Sequence, residues 1–305
     1  MHFRKYHGAG NDFIMLPDLD ARLGPAESLP ADLVVALCDR HTGVGADGVV
    51  RIIGGPADPE AAAAGAAYRF DLYNADGLPA EVSGNGLRCL VALERSERRI
   101  QDGEHRILTG GGVVRAILDG SRISIDMGRA SMLREDVPMR GSGPSLRAAI
   151  DLDGMEIVGS AVGIGNPHFV IFVSDLGRPL DRDLVQDLGP RIEHHPDFPA
   201  RVNVEFVDVE TPVKLRVRTW ERGVGETMAC GSGACAVAFA SAALQRTGDH
   251  VVVEELGGEL ELEIDEGSHV WLTGPAEEIF AGTIDRRWLV ARGLGAHVEL
   301  VAEAT

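Results

Sequence analysis

A short motif recurs in the two halves of this chain, and each copy precedes a segment with the pattern of a helix. The sequence SGNG begins at Ser83, and CGSG begins at Cys230. Asn74 stands nine residues before the first motif, and Glu221 stands nine residues before the second. Landmarks that recur in one order about 150 residues apart are typical of two related domains, the alternative being chance similarity between glycine-rich turns.

A third landmark and the local patterns agree with this division. Residues 8–13 (GAGNDF) resemble residues 163–169 (GIGNPHF). Alternation of polar and apolar residues predicts strands with one face toward water, and a fully apolar stretch at 169–173 predicts a buried strand. The alternating segments are 122–126, 214–218, 259–264 and 269–273. Helices are predicted over 32–40, 86 to about 98, and 233 to about 246. The expected fold class is therefore α+β, with a sheet and a central helix in each domain.

Charge and cysteine content exclude several classes of protein. The formal net charge is −18, which disfavours nucleic acid and anionic membranes as partners. No apolar run is long enough to span a bilayer, and the N-terminus lacks the apolar core of a signal peptide, so a cytoplasmic protein is expected. The four cysteines form no C-x-x-C pair, and His194-His195 belongs to no ligand pattern, so no metal site is predicted. Cys38, Cys89 and Cys235 lie on predicted helices and are expected to be buried apolar side chains.

The repeated motif suits chemistry on a carboxylate. Glycines allow close approach of a ligand to the backbone, and the first turn of a helix offers unpaired N–H groups and partial positive charge to an anion. A cysteine at the same place is expected to have a lowered pKa. If two such helix starts face each other across a cleft, an α-carbon can lie between residue 83 and Cys230. One residue would then remove its proton from one face while the other donates a proton to the opposite face, and the motif requires no cofactor.

Over about residues 1 to 285 the chain resembles the diaminopimelate epimerase family. The matching segments are 5–13 (KYHGAGNDF), 39–47 (DRHTGVGAD), 73–77 (YNADG), 84–86 (GNG) with Arg88 and Cys89, 165–168 (GNPH), 201–205 (RVNVE) and 220–233 (WERGVGETMACGSG). The resemblance implies two pseudo-symmetric domains, each an antiparallel-rich sheet wrapped around a central helix, with the active site in the cleft between them. The expected domains are residues 1–127 with a returning strand at 276–285, and residues 128–275. Residues 286–305 extend beyond the resemblance as an extra strand, a dimer element or a loose tail.

The resemblance also implies an activity and a set of residues. It implies interconversion of LL- and meso-diaminopimelate, a dicarboxylic diamino acid on the route to lysine and cell-wall precursors, by a homodimer without a cofactor. The two bases fall at positions 83 and 230, and His168 is expected to assist or orient a catalytic group, unless it only shapes a turn. The substrate-binding positions are Asn11, Asn74, Gly84, Asn85, Asn166, Asn203, Glu221, Arg222, Gly231 and Ser232.

The sequence departs from the family pattern at two of its positions. Where a cysteine is expected the chain has Ser83, and an unassisted alcohol is a poor base at neutral pH, so impaired epimerisation is predicted. The serine is either an engineered replacement or the natural residue of a specialised or degenerate member, and serine is also a good helix N-cap. Gly48 stands where many relatives carry a side-chain amide, which keeps open a racemase of the same fold acting on another amino acid. A third alternative is a substrate-binding protein without catalysis.

Overall fold

A computed structural model describes residues 1–26 and 29–297, which form a mixed fold rich in strands. The first part of the chain contains β1 (His2–Gly8), β2 (Asn11–Pro17), α1 (Ala31–Cys38), β3 (Gly48–Gly54), α2 (Pro59–Ala63), β4 (Tyr68–Asn74), β5 (Pro79–Ala80), α3 (Gly84–Ser96), β6 (Gly103–Thr109), β7 (Gly112–Asp119) and β8 (Arg122–Arg129). The remainder contains β9 (Ala148–Leu152), β10 (Met155–Gly163), β11 (Pro167–Phe172), α4 (Val173–Leu176), α5 (Arg182–Glu193), β12 (Asn203–Thr211), β13 (Lys214–Glu221), β14 (Gly225–Glu226), α6 (Gly231–Ala243), β15 (His250–Glu255), β16 (Gly258–Ile264), β17 (His269–Thr273), β18 (Glu277–Thr283) and α7 (Arg286–Ala291).

The chain divides into two compact units. Unit 1 comprises Met1–Ile125 and Pro275–Thr305, and unit 2 comprises Asp126–Gly274. Among the described residues, no helix is both long enough and apolar enough to cross a lipid bilayer.

In unit 1, antiparallel hairpins alternate with parallel pairs. Strand β1 pairs antiparallel with β2, and β2 then pairs parallel with β3. The antiparallel β3–β4 pair is followed by the parallel β4–β6 pair, and β6, β7 and β8 form an antiparallel meander. Strand β18 returns from the end of the chain to pair antiparallel with β1.

Unit 2 repeats this order of pairings with different strands. The antiparallel β10–β11 pair is followed by the parallel β11–β12 pair, the antiparallel β12–β13 pair and the parallel β13–β15 pair. Strands β15, β16 and β17 form the closing meander, and β9 pairs with β10 as β18 pairs with β1. The sequence landmarks therefore mark a repeated topology rather than a chance similarity of turns.

The parallel pairs are not visible in alternating sequence patterns, which favour antiparallel sheets. Parallel neighbours need a crossover connection, and helices supply it at equivalent points of the two units. The chain between β4 and β6 contains α3, and the chain between β13 and β15 contains α6. The prediction of antiparallel-rich sheets is thus confirmed, with two parallel pairs added in each unit.

The predicted helices are confirmed with shifted boundaries. Helices α3 and α6 each have 13 residues and begin two residues earlier than predicted, directly after Ser83 and Cys230. Leu87, Leu90 and Val91 of α3 are fully buried, as the apolar pattern indicated. Helix α6 is mostly alanine, glycine and other small residues, and it contacts β10, β11, β12, β16 and β17. The small side chains allow strands to approach it on several sides.

Residues beyond 285 include a helix rather than an extra strand or a loose tail. Leu289 of α7 is fully buried in a cluster with Phe3, Leu33 and Leu37 of unit 1. The indole Nε1 of Trp288 donates to the Thr42 carbonyl at 3.3 Å. The second segment for which a strand was considered, residues 296–301, lies outside the described residues from position 298 onward.

Candidate functional site

Ser83 lies at the start of α3 with its side-chain hydroxyl already engaged. Its backbone is extended, and Oγ accepts a hydrogen bond from the Gly86 N–H at 3.2 Å. This is the usual N-cap arrangement, in which a side chain satisfies one of the unpaired donors of the first helical turn. Gly86 is required to be small here, because a Cβ would lie 2.9 Å from the ring of Phe70. Ser83 is half-buried.

A chain of polar side chains surrounds this helix start in unit 1. Arg88, which is fully buried, donates from Nη2 to Asn85 Oδ1 at 2.7 Å, and Asn85 Nδ2 donates to Asn11 Oδ1 at 3.2 Å. Asn11 in turn donates to Asp47 Oδ2 at 2.9 Å. Two of the predicted substrate-binding asparagines are therefore linked to each other, and Arg88, which was named only as part of a motif, holds one of them.

A charged cluster fixes the loop that carries Asn11. Asp12 accepts from Arg40 at 2.6 Å and 3.1 Å and lies 2.7 Å from the buried Lys5 ammonium. Burial alone would raise the pKa of Asp12, but hydrogen bonds from Arg40 and Lys5 outweigh it and hold the pKa at about 2. Arg40 also contacts Asp47 at 2.8 Å, so the partner of Asn11 is held by the same guanidinium.

Gly48 lies beside Asn74, another predicted substrate-binding residue. The two residues are paired across β3 and β4, and the Asn74 side chain is exposed. A Cβ built on Gly48 would lie 2.6 Å from the Tyr73 carbonyl oxygen. A side chain at position 48 therefore requires a shift of the β3–β4 backbone, and this includes the side-chain amide that the resemblance led us to expect.

Cys230 occupies in unit 2 the position that Ser83 occupies in unit 1. Its backbone is extended and it immediately precedes α6, but its side chain does not cap the helix. The Sγ atom lies 3.6 Å from Ser232 Oγ, and the residue is 6% exposed. The expectation of a lowered thiol pKa is wrong. Burial raises the pKa of Cys230 well above its ordinary value, and the charges of Glu221, Glu205 and Glu255 raise it further, against a smaller lowering by the Ser232 hydroxyl.

Two buried carboxyl groups near Cys230 were not predicted as site residues. Glu255, 6% exposed, approaches the Cys230 backbone N–H with both carboxyl oxygens at 3.1 Å and accepts from Thr219 Oγ1 at 3.2 Å. Burial is the main reason that the pKa of Glu255 is raised to about 8, although the Cys230 N–H lowers it. Glu205 is fully buried, and its Oε1 would lie 2.8 Å from a Cβ added at Gly233.

His168 belongs to this cluster through Glu205. Its Nδ1 lies 2.7 Å from Glu205 Oε1, and its Nε2 lies 2.7 Å from Asn166 Oδ1. The histidine is fully buried on β11, and both of its described partners are in unit 2. It therefore orients Asn166, the counterpart of Asn11. Within residues 1–26 and 29–297, no group of three or more histidine, cysteine or acidic side chains is arranged to hold a metal ion.

The remaining predicted residues of unit 2 lie around the turn after β13. Asn203 accepts from the Arg222 N–H at 2.8 Å and donates to the Pro167 carbonyl at 3.0 Å. Glu221 accepts from Thr227 Oγ1 at 2.6 Å. The exposed Arg222 side chain donates to the Ala200 carbonyl at 3.0 Å. The buried Glu193 supports the turn by accepting from the Gly223 N–H at 2.9 Å. Asn203, Glu221 and Arg222 are thus brought together in one turn.

Strand register identifies equivalent positions in the two units. Phe13 pairs with Gly48 as His168 pairs with Asn203, and Thr109 pairs with Gly112 as Glu255 pairs with Gly258. Two residues after Gly48 stands Val50, and two residues after Asn203 stands Glu205. Unit 1 therefore has Val50 and Thr109 where unit 2 has carboxyl groups. A charged residue inside the otherwise apolar 204–207 stretch was the available signal for Glu205, whereas Glu255 precedes a glycine pair and has the pattern of an exposed turn.

Comparison with known proteins identifies the relatives of this chain. The family model described as diaminopimelate epimerase matches residues 3–133 and 160–279. The diaminopimelate epimerase of Pelotomaculum thermopropionicum is 41% identical over 288 residues, covering 92% of this chain and 98% of the relative. That of Desulforudis audaxviator is 42% identical over 291 residues, covering 92% and 98%.

Solved structures share the fold at much lower identity. A hydroxyproline epimerase from Agrobacterium vitis, with bound trans-4-hydroxy-L-proline, superposes with a TM-score of 0.66 at 18% identity and covers 92% of this chain and 90% of its own. A Bacillus anthracis phenazine biosynthesis protein of the PhzF family gives a TM-score of 0.62 at 14% identity, covering 92% and 98%. At this identity the likeness concerns the fold alone.

Proposed function

The chain belongs to the diaminopimelate epimerase family, and from this premise we propose that its reaction is the interconversion of LL- and meso-diaminopimelate without a cofactor. The observation that carries the proposal is the pair of equivalent helix starts. Helix α3 begins directly after residue 83 with Asn85 bonded to Asn11, and α6 begins directly after residue 230 with Glu205, which is linked through His168 to Asn166, beside Gly233. A hydroxyl or thiol side chain at each of two such positions suits removal of one α-proton and return of another.

We propose that Cys230 acts first as the proton donor and that residue 83 accepts the α-proton, which requires the side chain at position 83 to start as an anion. Burial, and after it the charges of three carboxyl groups, raise the pKa of the Cys230 thiol, so the thiol carries its proton at neutral pH. As the α-carbon loses a proton from one face, Cys230 delivers its proton to the other, and a thiolate remains. The reverse reaction uses that thiolate as base. The carbanion gains stabilisation from backbone N–H groups at helix starts, which cost no reorganisation.

The substrate's own charges suit the proposed binding set. The carboxylate at the reacting carbon would accept from N–H groups of Gly84, Asn85, Gly231 and Ser232, because first-turn donors lack helical partners. Glu221 would take an ammonium group, with the amides of Asn11, Asn74, Asn166 and Asn203 fixing handedness. The guanidinium of Arg222 offers a fork for the distal carboxylate.

We expect this chain to epimerise slowly, because Ser83 supplies a hydroxyl in place of a thiol. A serine hydroxyl has a far higher pKa than a thiol, and the hydrogen bond that Ser83 accepts from the Gly86 N–H does nothing to remove the hydroxyl proton. The direct experiment is Ser83→Cys, assayed by NMR for α-proton exchange and epimer formation from LL-diaminopimelate in deuterated water. We expect at least about a hundredfold gain, which is the usual size of one general acid–base contribution. An unchanged rate in a folded variant would reject position 83 as a base.

The hydrogen bond of Ser83 also favours a second candidate function, a substrate-binding homologue without turnover. In that case Ser83 serves α3 as a cap and the site retains only its recognition groups. Calorimetric binding of meso-diaminopimelate, with no exchange of its α-proton and with Cys230 unreactive toward iodoacetamide at neutral pH, would support this candidate. Because Gly48 lies beside Asn74, proline and histidine should also be tested for α-proton exchange in deuterated water. Exchange of one of these amino acids without exchange of diaminopimelate would indicate a different racemase.

We further propose a cytoplasmic homodimer whose functional domains are residues 1–127 with 276–285 and residues 128–275. Support for self-association comes from β18, where Ile279 and Phe280 are 52% and 45% exposed on a strand that pairs with β1. Exposed apolar side chains that lie side by side favour contact with another chain. Sedimentation of the parent chain and of Phe280→Arg tests self-association through β18. A dimeric parent and a dissociated variant are expected, and a monomeric parent would contradict the proposal.

A further inference from the structure

The carboxyl group of Glu255 is built into the start of α6. Both of its oxygens lie 3.1 Å from the Cys230 backbone nitrogen, and one also accepts from the buried Thr219 hydroxyl at 3.2 Å. An N-cap residue usually presents its own N–H to solvent or to a capping-box side chain of the same helix. Here Glu255 at the end of β15, outside the helix, provides the acceptor, so the position of Cys230 depends on β15.

Glu255 does not stand alone among charges. The groups that face it are Glu221 at the end of β13, Glu205 on β12 and the Cys230 thiol, and Glu205 is paired with His168 on β11. Buried like charges at close range disfavour each other's ionisation. Ionisation of Glu255 and loss of the thiol proton are therefore linked, and a state with both groups negative is strongly disfavoured.

We propose that Glu255 is a positioning and charge-setting residue for Cys230. In its neutral form it holds the Cys230 N–H while allowing the thiol to give up its proton, and in its ionised form it holds the same N–H and opposes formation of the thiolate. This inference rests on the proposed function for its catalytic meaning, but the link between the two groups is measurable without turnover.

The neutral form keeps both hydrogen bonds. A protonated carboxyl group still accepts the Cys230 N–H and the Thr219 hydroxyl through Oε1, although more weakly than the carboxylate does. Because the pKa of Glu255 is raised to about 8, chiefly by burial, this form prevails at neutral pH. Above that range the ionised form prevails, and Cys230 becomes harder to deprotonate at the pH values where an ordinary thiol becomes easier to deprotonate.

The test is the pH profile of Cys230 alkylation by iodoacetamide, read by mass spectrometry of the peptide that contains it. In the parent chain we expect two rises separated by a plateau that begins near pH 8, the pKa of Glu255. In Glu255→Gln, whose amide imitates the neutral form, we expect one continuous rise and about tenfold faster alkylation at pH 9, as one unit of thiol pKa implies. Glu254→Gln is the matched control, since it removes the same charge from the adjacent, 40% exposed side chain paired with Lys214 and should keep the plateau.

Several results would overturn the proposal. One is a single rise in the parent. Another is alkylation of Cys230 in Glu255→Gln that is faster than in the parent by the same factor at every pH, including pH values at which the thiol is fully ionised. That result would indicate easier access of the reagent to Cys230 rather than a change of charge. If Glu255→Gln fails to fold, Thr219→Val provides the second measurement. Loss of the Thr219 hydrogen bond raises the pKa of Glu255, so the plateau must begin at higher pH.

Turnover is measured separately in the Ser83→Cys background. There we expect Glu255→Gln to lose any decline in the rate of epimerisation above pH 8 that accompanies Glu255 ionisation. A purely structural role predicts a rate that is lower at every pH and still declines above pH 8, and that result would contradict the proposal. If Ser83→Cys itself shows no epimerisation while the alkylation profiles behave as expected, the proposed function fails and the link between Glu255 and Cys230 stands.

Discussion

Replacement of Ser83 should destabilise α3 even where it restores catalysis. The hydroxyl accepts the Gly86 N–H at 3.2 Å, and Gly86 is buried against Phe70, so water cannot easily replace the lost acceptor. Removal of a serine N-cap typically costs about 1 kcal/mol, within a range of roughly 0.5–2 kcal/mol. For a unit of this size such a loss lowers the melting temperature by about 2–4 °C.

The assay compares Ser83→Ala, Ser83→Cys and Ser83→Thr by urea unfolding and by hydrogen exchange of the α3 peptide. Ser83→Ala should lose the full cap and Ser83→Thr should keep most of it. Ser83→Cys should fall between them, because sulfur is a weak acceptor. Ser121→Ala, in the exposed turn after β7, is the control and should change stability by less than about 0.5 kcal/mol. Equal stability of Ser83→Ala and the parent, with unchanged exchange in α3, would refute the assigned cap.

Two further predictions concern the loop and strands beside Asn11 and Asn74. Gly48→Ala should cost about 1–3 kcal/mol in urea unfolding, because its Cβ would lie 2.6 Å from the Tyr73 carbonyl, whereas Gly248→Ala, with open space around it, should cost less. The pKa of Asp12 is depressed to about 2 from 3.8, so its contribution of about 2 kcal/mol is present above pH 4 and disappears as the pH falls through 2. The free energy of unfolding of Arg40→Met should therefore be lower than that of the parent at pH 6, and the difference between them should become smaller near pH 2. A gap independent of pH would contradict the assigned ion pair.

Much of the fold could be predicted because the repeat and the alternating patterns are properties of neighbouring residues. The starts of α3 and α6 follow from glycine-rich motifs, and the buried strand β11 follows from its apolar run. The parallel pairs could not be predicted in this way, because they depend on crossovers that bring distant strands together. The helix α7 was missed because its apolar side consists of little more than Leu289 and Trp288.

The candidate site residues that the sequence predicts lie in the motifs themselves, whereas contacts between residues far apart in the sequence gave no local signal. Asn11 and Asn85 were expected to bind substrate, but their link to each other spans 74 positions and has no local signal. Glu255 contacts Cys230 across 25 positions from a strand end that resembles a surface turn. The thiol pKa was predicted in the wrong direction for the same reason, because the helix start is local whereas the burial of the thiol and the three carboxyl groups depend on separate strands.

The two units therefore retain one topology while differing in charge at equivalent places. Around Cys230, unit 2 has Glu205 and Glu255 where unit 1 has Val50 and Thr109, and the hydroxyl at position 83 caps its helix where the thiol at 230 does not. A carboxyl-rich environment raises the pKa of a thiol and suits a proton donor, whereas an environment without carboxyl groups at those positions suits a base. With a thiol at position 83, this asymmetry favours a thiolate at 83 and a protonated thiol at 230, and inversion of a carbon centre by two bases requires such opposite starting states. A thiol introduced at position 83 should then have a lower pKa than Cys230 in the same molecule, and alkylation of Ser83→Cys must label residue 83 first.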